Sequence, residues 1–422
     1  MKLAFSIGAP NHYRLLGPVI DRALARGWKV ECWQDGDQKI KRRFGAWGRT
    51  PVPPVFRCGD PTIREYGRGR AFAELLSAFR PDVVIALRRP RGAAPDGHTR
   101  WLGLQYTLNI WEFIDESGNT PFDAVGVHTE YWRARAADSL RILMANQGRS
   151  PVQVDDRAIE RTMLKRGTVV GFPQMDQLQH ADGLALRRRL GIEGGRPVVL
   201  YCPFPFNSNP RTFWVRHIYG ASRLHQRLAV RLPAGRRYAC HVENRWDDRS
   251  VVDAVRAFCD ANGAVLIVKQ RAKDPVPGYL RRAADRIVRD HAAASDYPSK
   301  LLELMSIASL CFHFFSTVAY EAAYAGVPSV CITADGNDLG FASIWQEWFL
   351  SETAGSSFNF PGVTYPMRIP DIVRELPMRR LADFPVEPAA RAQYLEKFIG
   401  ADDGKASDRL LDVATALVES AR

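Results

Sequence analysis

The chain has 422 residues, 46% of them hydrophobic and 25% charged, which is typical of a folded protein of two or three domains and excludes a largely disordered one. No run of about 18 uncharged apolar residues occurs, so no spanning helix is expected, and seven scattered cysteines without a CxxC pair indicate neither a zinc site nor a disulfide framework. The formal net charge of +12 can reflect codon composition alone or mark attraction to polyanions. In the second case the sequence, with no nucleic-acid-binding signature or basic tail, favours phosphate-bearing substrates or an anionic membrane surface over nucleic acid.

The first half of the chain has the pattern of βαβ units. An apolar strand at 3–7 leads through a short loop into a helix at 14–26, which Gly27 ends before a strand begins at Lys29. Because this opening reads as a strand and its turn rather than a signal peptide, a cytoplasmic location is expected. The same alternation recurs further on, with a helix at 72–79 and strands at 83–86, 122–127 and 168–170.

A polar, arginine-rich stretch at 179–196 then predicts a connection between two domains. The alternation restarts beyond it, with strands at 197–203, 264–268, 310–314 and 329–332 and helices at 250–262, 299–308 and 318–325. The tail is predicted to be helical at 389–398 and 408–421.

Together these patterns predict an α/β protein with two Rossmann-like, doubly wound lobes on either side of a cleft. The predicted units are an N-terminal acceptor lobe, a linker, a C-terminal nucleotide-donor lobe and C-terminal helices, over residues 1–178, 179–196, 197–375 and 376–422. The aromatic, arginine-bearing segment 207–246 fits this scheme poorly. It is interpreted as an insertion that is either a solvated helix with aromatic packing or a surface for the acceptor or a membrane.

The most informative stretch is a buried strand that delivers Ser316 and Thr317 to the carboxyl edge of a parallel sheet, where a helix begins. The first turn of a helix favours a phosphate, and the two hydroxyls add donors. Glu321 lies four residues after Thr317 on the same helical face, where its carboxylate could accept from a ribose. The alternative is that a hydroxyl caps the helix and Glu321 complements its dipole.

This Ser-Thr, three residues, Glu-Ala, then Ala-Gly-Val-Pro pattern resembles the nucleotide-binding signature of GT-B glycosyltransferases. The likeness is nearest to the branch of CDP-glycerol glycerophosphotransferases, capsular polysaccharide transferases and UDP-N-acetylglucosamine 2-epimerases. The segments 196–203, 266–271 and 170–176 are similar to further motifs of that branch. The resemblance implies a nucleotide-activated donor, a glycan or lipid-linked acceptor, and no bound metal or other cofactor, since cations and a helix dipole would hold the diphosphate. It implies donor-binding roles for Ser316, Thr317, Glu321, Lys269, Arg271, Lys273, Pro203 and His313.

Two of these positions depart from the family pattern. Arg271 stands where the family has a histidine, which removes an imidazole but keeps a cation suited to a diphosphate. His313 stands eight residues before Glu321, where retaining members of the wider fold often carry a glutamate. This substitution disfavours the subclass with paired glutamates, and His313 could equally be a packed strand residue.

The candidate general base comes from the first lobe. His12 follows the opening strand at the edge facing the cleft and could deprotonate an acceptor hydroxyl. The competing carboxylates are Glu112 and Asp115, accompanied by Glu116, with Glu130 as a third alternative.

The expected function is therefore metal-independent transfer of a sugar or polyol-phosphate unit to a cell-envelope glycan or lipid-linked acceptor, at the inner face of the membrane where the acceptor is lipid-linked. Two alternatives remain open. One is a non-hydrolysing sugar-nucleotide epimerase of the same fold, and the other is a catalytically degenerate protein that binds a nucleotide or polyanion without turnover.

Overall fold

The computed structural model describes residues 1–36, 54–67, 71–90, 97–106, 113–146, 154–203, 248–271, 276–290, 297–314, 316–333 and 355–420. Within these ranges two wholly parallel sheets are flanked by helices, which confirms the predicted α/β class with two Rossmann-like lobes. Glu112, Lys273 and the segment predicted as an insertion at 207–246 lie outside the described residues.

The first sheet has seven strands in the order β3-β2-β1-β4-β5-β6-β7. They are β1 (Lys2–Ile7), β2 (Lys29–Asp35), β3 (Thr62–Tyr66), β4 (Val83–Ala86), β5 (Arg100–Leu104), β6 (Ala124–Val127) and β7 (Gly167–Val169). Its helices are α1 (His12–Ala25), α2 (Phe72–Phe79), α3 (Glu130–Ala134), α4 (Ala136–Asn146) and α5 (Asp156–Arg166). The central strands β1 and β4 are buried on both faces, as expected for a parallel sheet covered by helices.

The second sheet has six strands in the order β10-β9-β8-β11-β12-β13. They are β8 (Val198–Cys202), β9 (Val265–Gln270), β10 (Arg286–Arg289), β11 (Leu310–His313), β12 (Ser329–Thr333) and β13 (Thr364–Arg368). The connection before it is a 3-10 segment (Pro173–His180) and α6 (Gly183–Leu190), and the lobe's helices are α7 (Asp248–Ala261), α8 (Gly278–Ala283), α9 (Lys300–Met305), α10 (Val318–Tyr324) and α11 (Ile369–Glu375). Two 3-10 turns follow, Leu376–Met378 and Leu381–Asp383.

The helix predicted over 299–308 is shorter than expected. It ends at Met305, where the Ser306 hydroxyl donates to the Glu303 carbonyl at 2.7 Å and closes the last turn. Ser299 occupies the N-cap position, but its side chain makes no capping hydrogen bond. No described helix is long and apolar enough to cross a membrane.

The last two helices, α12 (Pro388–Phe398) and α13 (Ala406–Glu419), return to the first lobe. Asp176, at the end of the first lobe, accepts from the backbone N–H groups of Ala406 and Ser407 at 3.2 and 2.7 Å and so caps the start of α13. The Trp132 indole donates to the Phe398 carbonyl at 2.9 Å. One hydrophobic core therefore contains both first-lobe strands and these helices.

The two lobes also meet at α1. Gly17 lies in the middle of this helix, and a Cβ placed there would come within 2.3 Å of the Tyr297 ring from the second lobe. The Tyr297 hydroxyl donates to the buried carboxylate of Asp21, one turn further along α1. The missing side chain at position 17 is what allows the ring to lie against the helix.

Candidate functional site

The second sheet changes winding direction between its neighbouring strands β8 and β11. Open parallel sheets bind their ligands in the crevice at the carboxyl ends of the two strands where the winding reverses, which here are β8 and β11. Pro203 follows β8, while His313 ends β11 and Ser316 and Thr317 begin the turn into α10. The structure thus brings these four predicted residues to one edge.

Ser316 and Thr317 are both partly exposed at the start of α10. The Ser316 hydroxyl accepts from the Val318 N–H at 3.4 Å, so it acts as a local cap, and the Thr317 side chain makes no capping bond. Each hydroxyl can still donate to an anion, because accepting a hydrogen bond leaves the proton of the group available.

Glu321 is fully buried one turn into α10. Its Oε1 accepts from the side-chain amide of Gln174, and its Oε2 has no hydrogen-bond partner among the described residues. Burial raises the pKa of Glu321, against the opposing effects of Arg14, the Gln174 bond and Lys269. A buried carboxylate oxygen without a partner is costly, and this marks the position as one suited to a ligand donor.

His313 is also fully buried, and neither of its ring nitrogens has a partner among the described residues. Burial lowers its pKa to about 3, so the ring is neutral at physiological pH. The ring centroid lies 5.9 Å from that of Phe358. This environment fits the packed strand residue, and the predicted donor contact remains a prediction.

The predicted cationic group is only partly available to a ligand. Lys269 is buried at the end of β9, and its ammonium donates to Asp290 at 2.6 Å, which neutralises it locally. Arg271 is half-buried just beyond the strand. Of the two described members, Arg271 is the more exposed.

In the first lobe, His12 begins α1 immediately after the loop that follows β1. Its Nδ1 accepts from the Gly8 N–H at 3.2 Å, and its ring lies 5.4 Å from that of Tyr106. Because Nδ1 is an acceptor, the neutral ring carries its hydrogen on Nε2. Burial, aided by the nearby Arg88, lowers the pKa of His12 to about 3. In this arrangement Nε2 presents a donor, and acting as a base would require the ring to give up the Gly8 contact.

The competing carboxylates lie in local structures of their own. Asp115 is exposed and accepts from the Ser117 and Asn119 N–H groups at 3.0 and 2.8 Å, which is the geometry of a side-chain-closed turn. Glu130 is exposed and pairs with Arg133 at 2.6 Å. Their predicted catalytic roles remain predictions.

Sequence reasoning did not identify Gln174, Arg14 or Arg88 as members of these edges. The sequence carries a signal for Gln174, because this residue lies inside the segment 170–176, which is similar to a motif of the resembled branch. Two open cavities, of about 680 and 270 Å³, lie along the connecting segment around His180 and Ser306 and are not lined by Glu321. A donor at Glu321 would meet a carboxylate of which one oxygen is already bound by the Gln174 amide.

No family model and no curated protein sequence matches the chain. Among solved structures, it is similar to a variant of the wall teichoic acid polymerase TagF with a TM-score of 0.54 and 13% identity, over 100% of this chain and 89% of that one. A variant of TagF with CDPG gives 0.53 and 13%, over 99% and 89%. A putative UDP-N-acetylglucosamine 2-epimerase from Listeria monocytogenes gives 0.51 and 13%, over 99% and 97%. The chain has the GT-B fold. The similarity confirms the predicted two-lobed fold.

Proposed function

We propose that the protein transfers a sugar or polyol-phosphate unit from a nucleotide-activated donor to a glycan or lipid-linked acceptor. The observation that carries the proposal is the unpartnered, buried Oε2 of Glu321, one turn inside the helix that starts at the β8/β11 edge. The Ser316 and Thr317 hydroxyls precede it at the helix start, which favours a phosphate. A nucleoside diphosphate supplies both the anion for the helix start and the ribose hydroxyls for the carboxylate.

For a sugar donor, the transfer proceeds by attack of an acceptor hydroxyl on the anomeric carbon. The new bond joins the acceptor oxygen to that carbon, and the bond from the carbon to the diphosphate oxygen breaks. The electron pair leaves with the nucleoside diphosphate, whose charge Arg271 and the start of α10 would stabilise. The acceptor proton passes to a base, for which His12, Glu112 and Asp115 are the proposed candidates.

The net positive charge of the chain supports the proposed type of acceptor. A net charge of +12 attracts acceptors that carry phosphates or are tethered to anionic membranes. TagF is named as a polymerase of wall teichoic acid, so a cell-envelope acceptor is consistent with the shared fold.

The test is a thermal-stability screen with nucleotides and nucleotide sugars, because a ligand that binds only the native state raises its melting temperature. We expect at least one nucleoside diphosphate to stabilise the protein, and Glu321→Ala to abolish that shift. The stabilising donor is then assayed for transfer and hydrolysis. No stabilisation by any member of the panel would refute the proposal.

A second candidate is epimerisation of a sugar nucleotide, favoured by the similarity to the putative 2-epimerase over 97% of its length. It requires the same donor site but no acceptor. Incorporation of solvent deuterium at C2 of the donor sugar would identify this reaction, whereas transfer leaves that carbon unlabelled.

A further inference from the structure

The first sheet has a winding reversal of its own, between β1 and β4. These strands pair directly, with Phe5 opposite Ile85 and Ser6 opposite Ala86. The chain leaves β1 towards β2 on one side and leaves β4 towards β5 on the other. The crevice outside their carboxyl ends receives the Gly8–His12 loop and Arg88.

Gly8 lies close to both His12 and Arg88. A Cβ there would lie 3.0 Å from His12 Cε1 and 3.6 Å from Arg88 Nη2. His12 is fixed by accepting the Gly8 N–H at 3.2 Å, which leaves its Nε2 as a hydrogen-bond donor. The Asn11 amide, on the same loop, donates to the Tyr106 hydroxyl and holds the loop against the end of β5.

Arg88 is exposed and forms no ion pair with any described residue. Its neighbour Arg89 is used structurally, since it donates to the Pro121 carbonyl at 3.1 Å and lies over the Trp101 ring at 4.8 Å. The charge of Arg88 instead adds to burial in lowering the pKa of His12 and opposes burial at Tyr66, whose pKa the Asp35 carboxylate helps to raise. The first turn of α1 contains no acidic residue, so the positive end of its dipole is not offset there.

We propose that Arg88, the Nε2–H of His12 and the start of α1 form a binding site for a phosphate group of the acceptor. A guanidinium binds two phosphate oxygens at once, and a neutral imidazole N–H adds a third donor without competing for a proton. The inference rests on the proposed function, because it assigns this lobe to the acceptor. It makes the recognised acceptor a phosphate ester rather than an uncharged sugar, and because it uses His12 as a hydrogen-bond donor, it leaves the role of base to Glu112 or Asp115.

The experiment is a calorimetric titration of the protein whose donor site is already saturated with the nucleotide that stabilises it. The probes are sn-glycerol 3-phosphate, representing a polyol-phosphate chain, and farnesyl diphosphate, representing a lipid-linked diphosphate, with glycerol as the uncharged control. We expect one or both phosphates, and not glycerol, to bind to the saturated protein. The probe that binds more tightly distinguishes the two sources of phosphate.

Arg88→Ala is expected to weaken phosphate binding by about tenfold or more, while leaving nucleotide affinity unchanged. Arg188→Ala is the matched control, because it removes one exposed positive charge from α6 without removing a described ion pair. Equal losses in the two variants would show unspecific charge attraction and overturn the proposal. Failure of both phosphates to bind the saturated protein would overturn it as well.

The same titrations on Glu321→Ala separate this inference from the proposed function. If no nucleotide binds the native protein but phosphate binding persists and depends on Arg88, the donor assignment fails and the phosphate site stands. If nucleotide binds through Glu321 and phosphate binding is equal in Arg88→Ala and the native protein, the donor assignment stands and the phosphate site fails.

Discussion

The Gln174 amide donates to the Glu321 carboxylate across the boundary between the two lobes. Both residues are buried, and they are separated by 147 positions in the chain. The amide occupies one carboxylate oxygen and leaves the other without a partner among the described residues. The contact therefore occupies one of the two carboxylate oxygens that a ribose could use.

Replacing Gln174 by alanine is expected to tighten nucleotide binding while destabilising the free protein. The loss of a hydrogen bond to a buried carboxylate costs about 1–3 kcal/mol, and the ribose no longer competes with the amide. Melting temperature and nucleotide affinity, measured by calorimetry, check both expectations.

Gln177→Ala provides the control for this prediction. Gln177 also joins the lobes, because its amide donates to the Arg14 carbonyl at 2.9 Å and its oxygen accepts from the Ser299 N–H at 2.8 Å. It makes no described bond to Glu321. Tighter nucleotide binding in both variants would indicate general loosening of the lobes and contradict competition at the carboxylate.

Glu321→Gln is expected to stabilise the free protein at neutral pH and to weaken nucleotide binding. Burial raises the folded-state pKa of Glu321 above its ordinary value of 4.5, so the folded protein holds this proton more tightly than the unfolded chain. Stability therefore falls as pH rises from 4.5 through the folded-state pKa, and the glutamine variant lacks this fall.

Thermal melts of both proteins at several pH values between 4.5 and 8 test this linkage. The difference in melting temperature should widen with rising pH and then become constant. A difference that narrows over this range would contradict the raised pKa.

The His12 ring is expected to stay neutral across the physiological range. Its folded-state pKa of about 3 lies below the ordinary value of 6.5, so the unfolded chain binds this proton more readily. The folded state is therefore favoured fully while this ring is neutral, above pH 6.5, and it loses stability as pH falls from 6.5 towards 3. Ring resonances assigned by comparison with His12→Ala should show no titration between pH 5 and 8, and a midpoint near 6.5 would refute the enclosed, Arg88-adjacent environment.

Gly17→Ala is expected to disturb the packing of the Tyr297 ring against α1. The new methyl group would overlap the ring, and overpacking of this kind costs about 1–3 kcal/mol. Tyr297→Ala removes the ring, so the double variant should lose less stability than the sum of the single variants. Chemical denaturation measures the three free energies of unfolding, and additive losses would show that the two residues do not meet.

The sequence predicted strands with uninterrupted apolar runs better than the others. β4 and β8 are such runs, because strands covered on both faces need them. β3, β5, β10 and β13 were not predicted. The edge strands β3 and β10, TIREY and RIVR, are polar because they are partly exposed, and they are extended through pairing with β2 and β9. β5 (RWLGL) lies inside the first sheet but includes Gly103, and β13 (TYPMR) includes Pro366, residue types that are depleted in strands.

The candidate site shows a similar division. Local spacing was enough to place Ser316, Thr317 and Glu321 on one turn at a sheet edge. It could not reveal that Gln174 would cover Glu321 or that Asp290 would pair with Lys269, because these contacts depend on how distant segments pack. Nor could it show which ring nitrogen of His12 would face the Gly8 N–H.

The cap that Asp176 provides for α13 has a consequence for synthesis of the polypeptide. The helices α12 and α13 complete the hydrophobic core of the first lobe, but they are translated only after the whole second lobe. A nascent chain that ends near residue 178 would leave the core of the first lobe uncovered. The two lobes therefore cannot fold one after the other as independent units. Expression of either half alone should give an aggregating product.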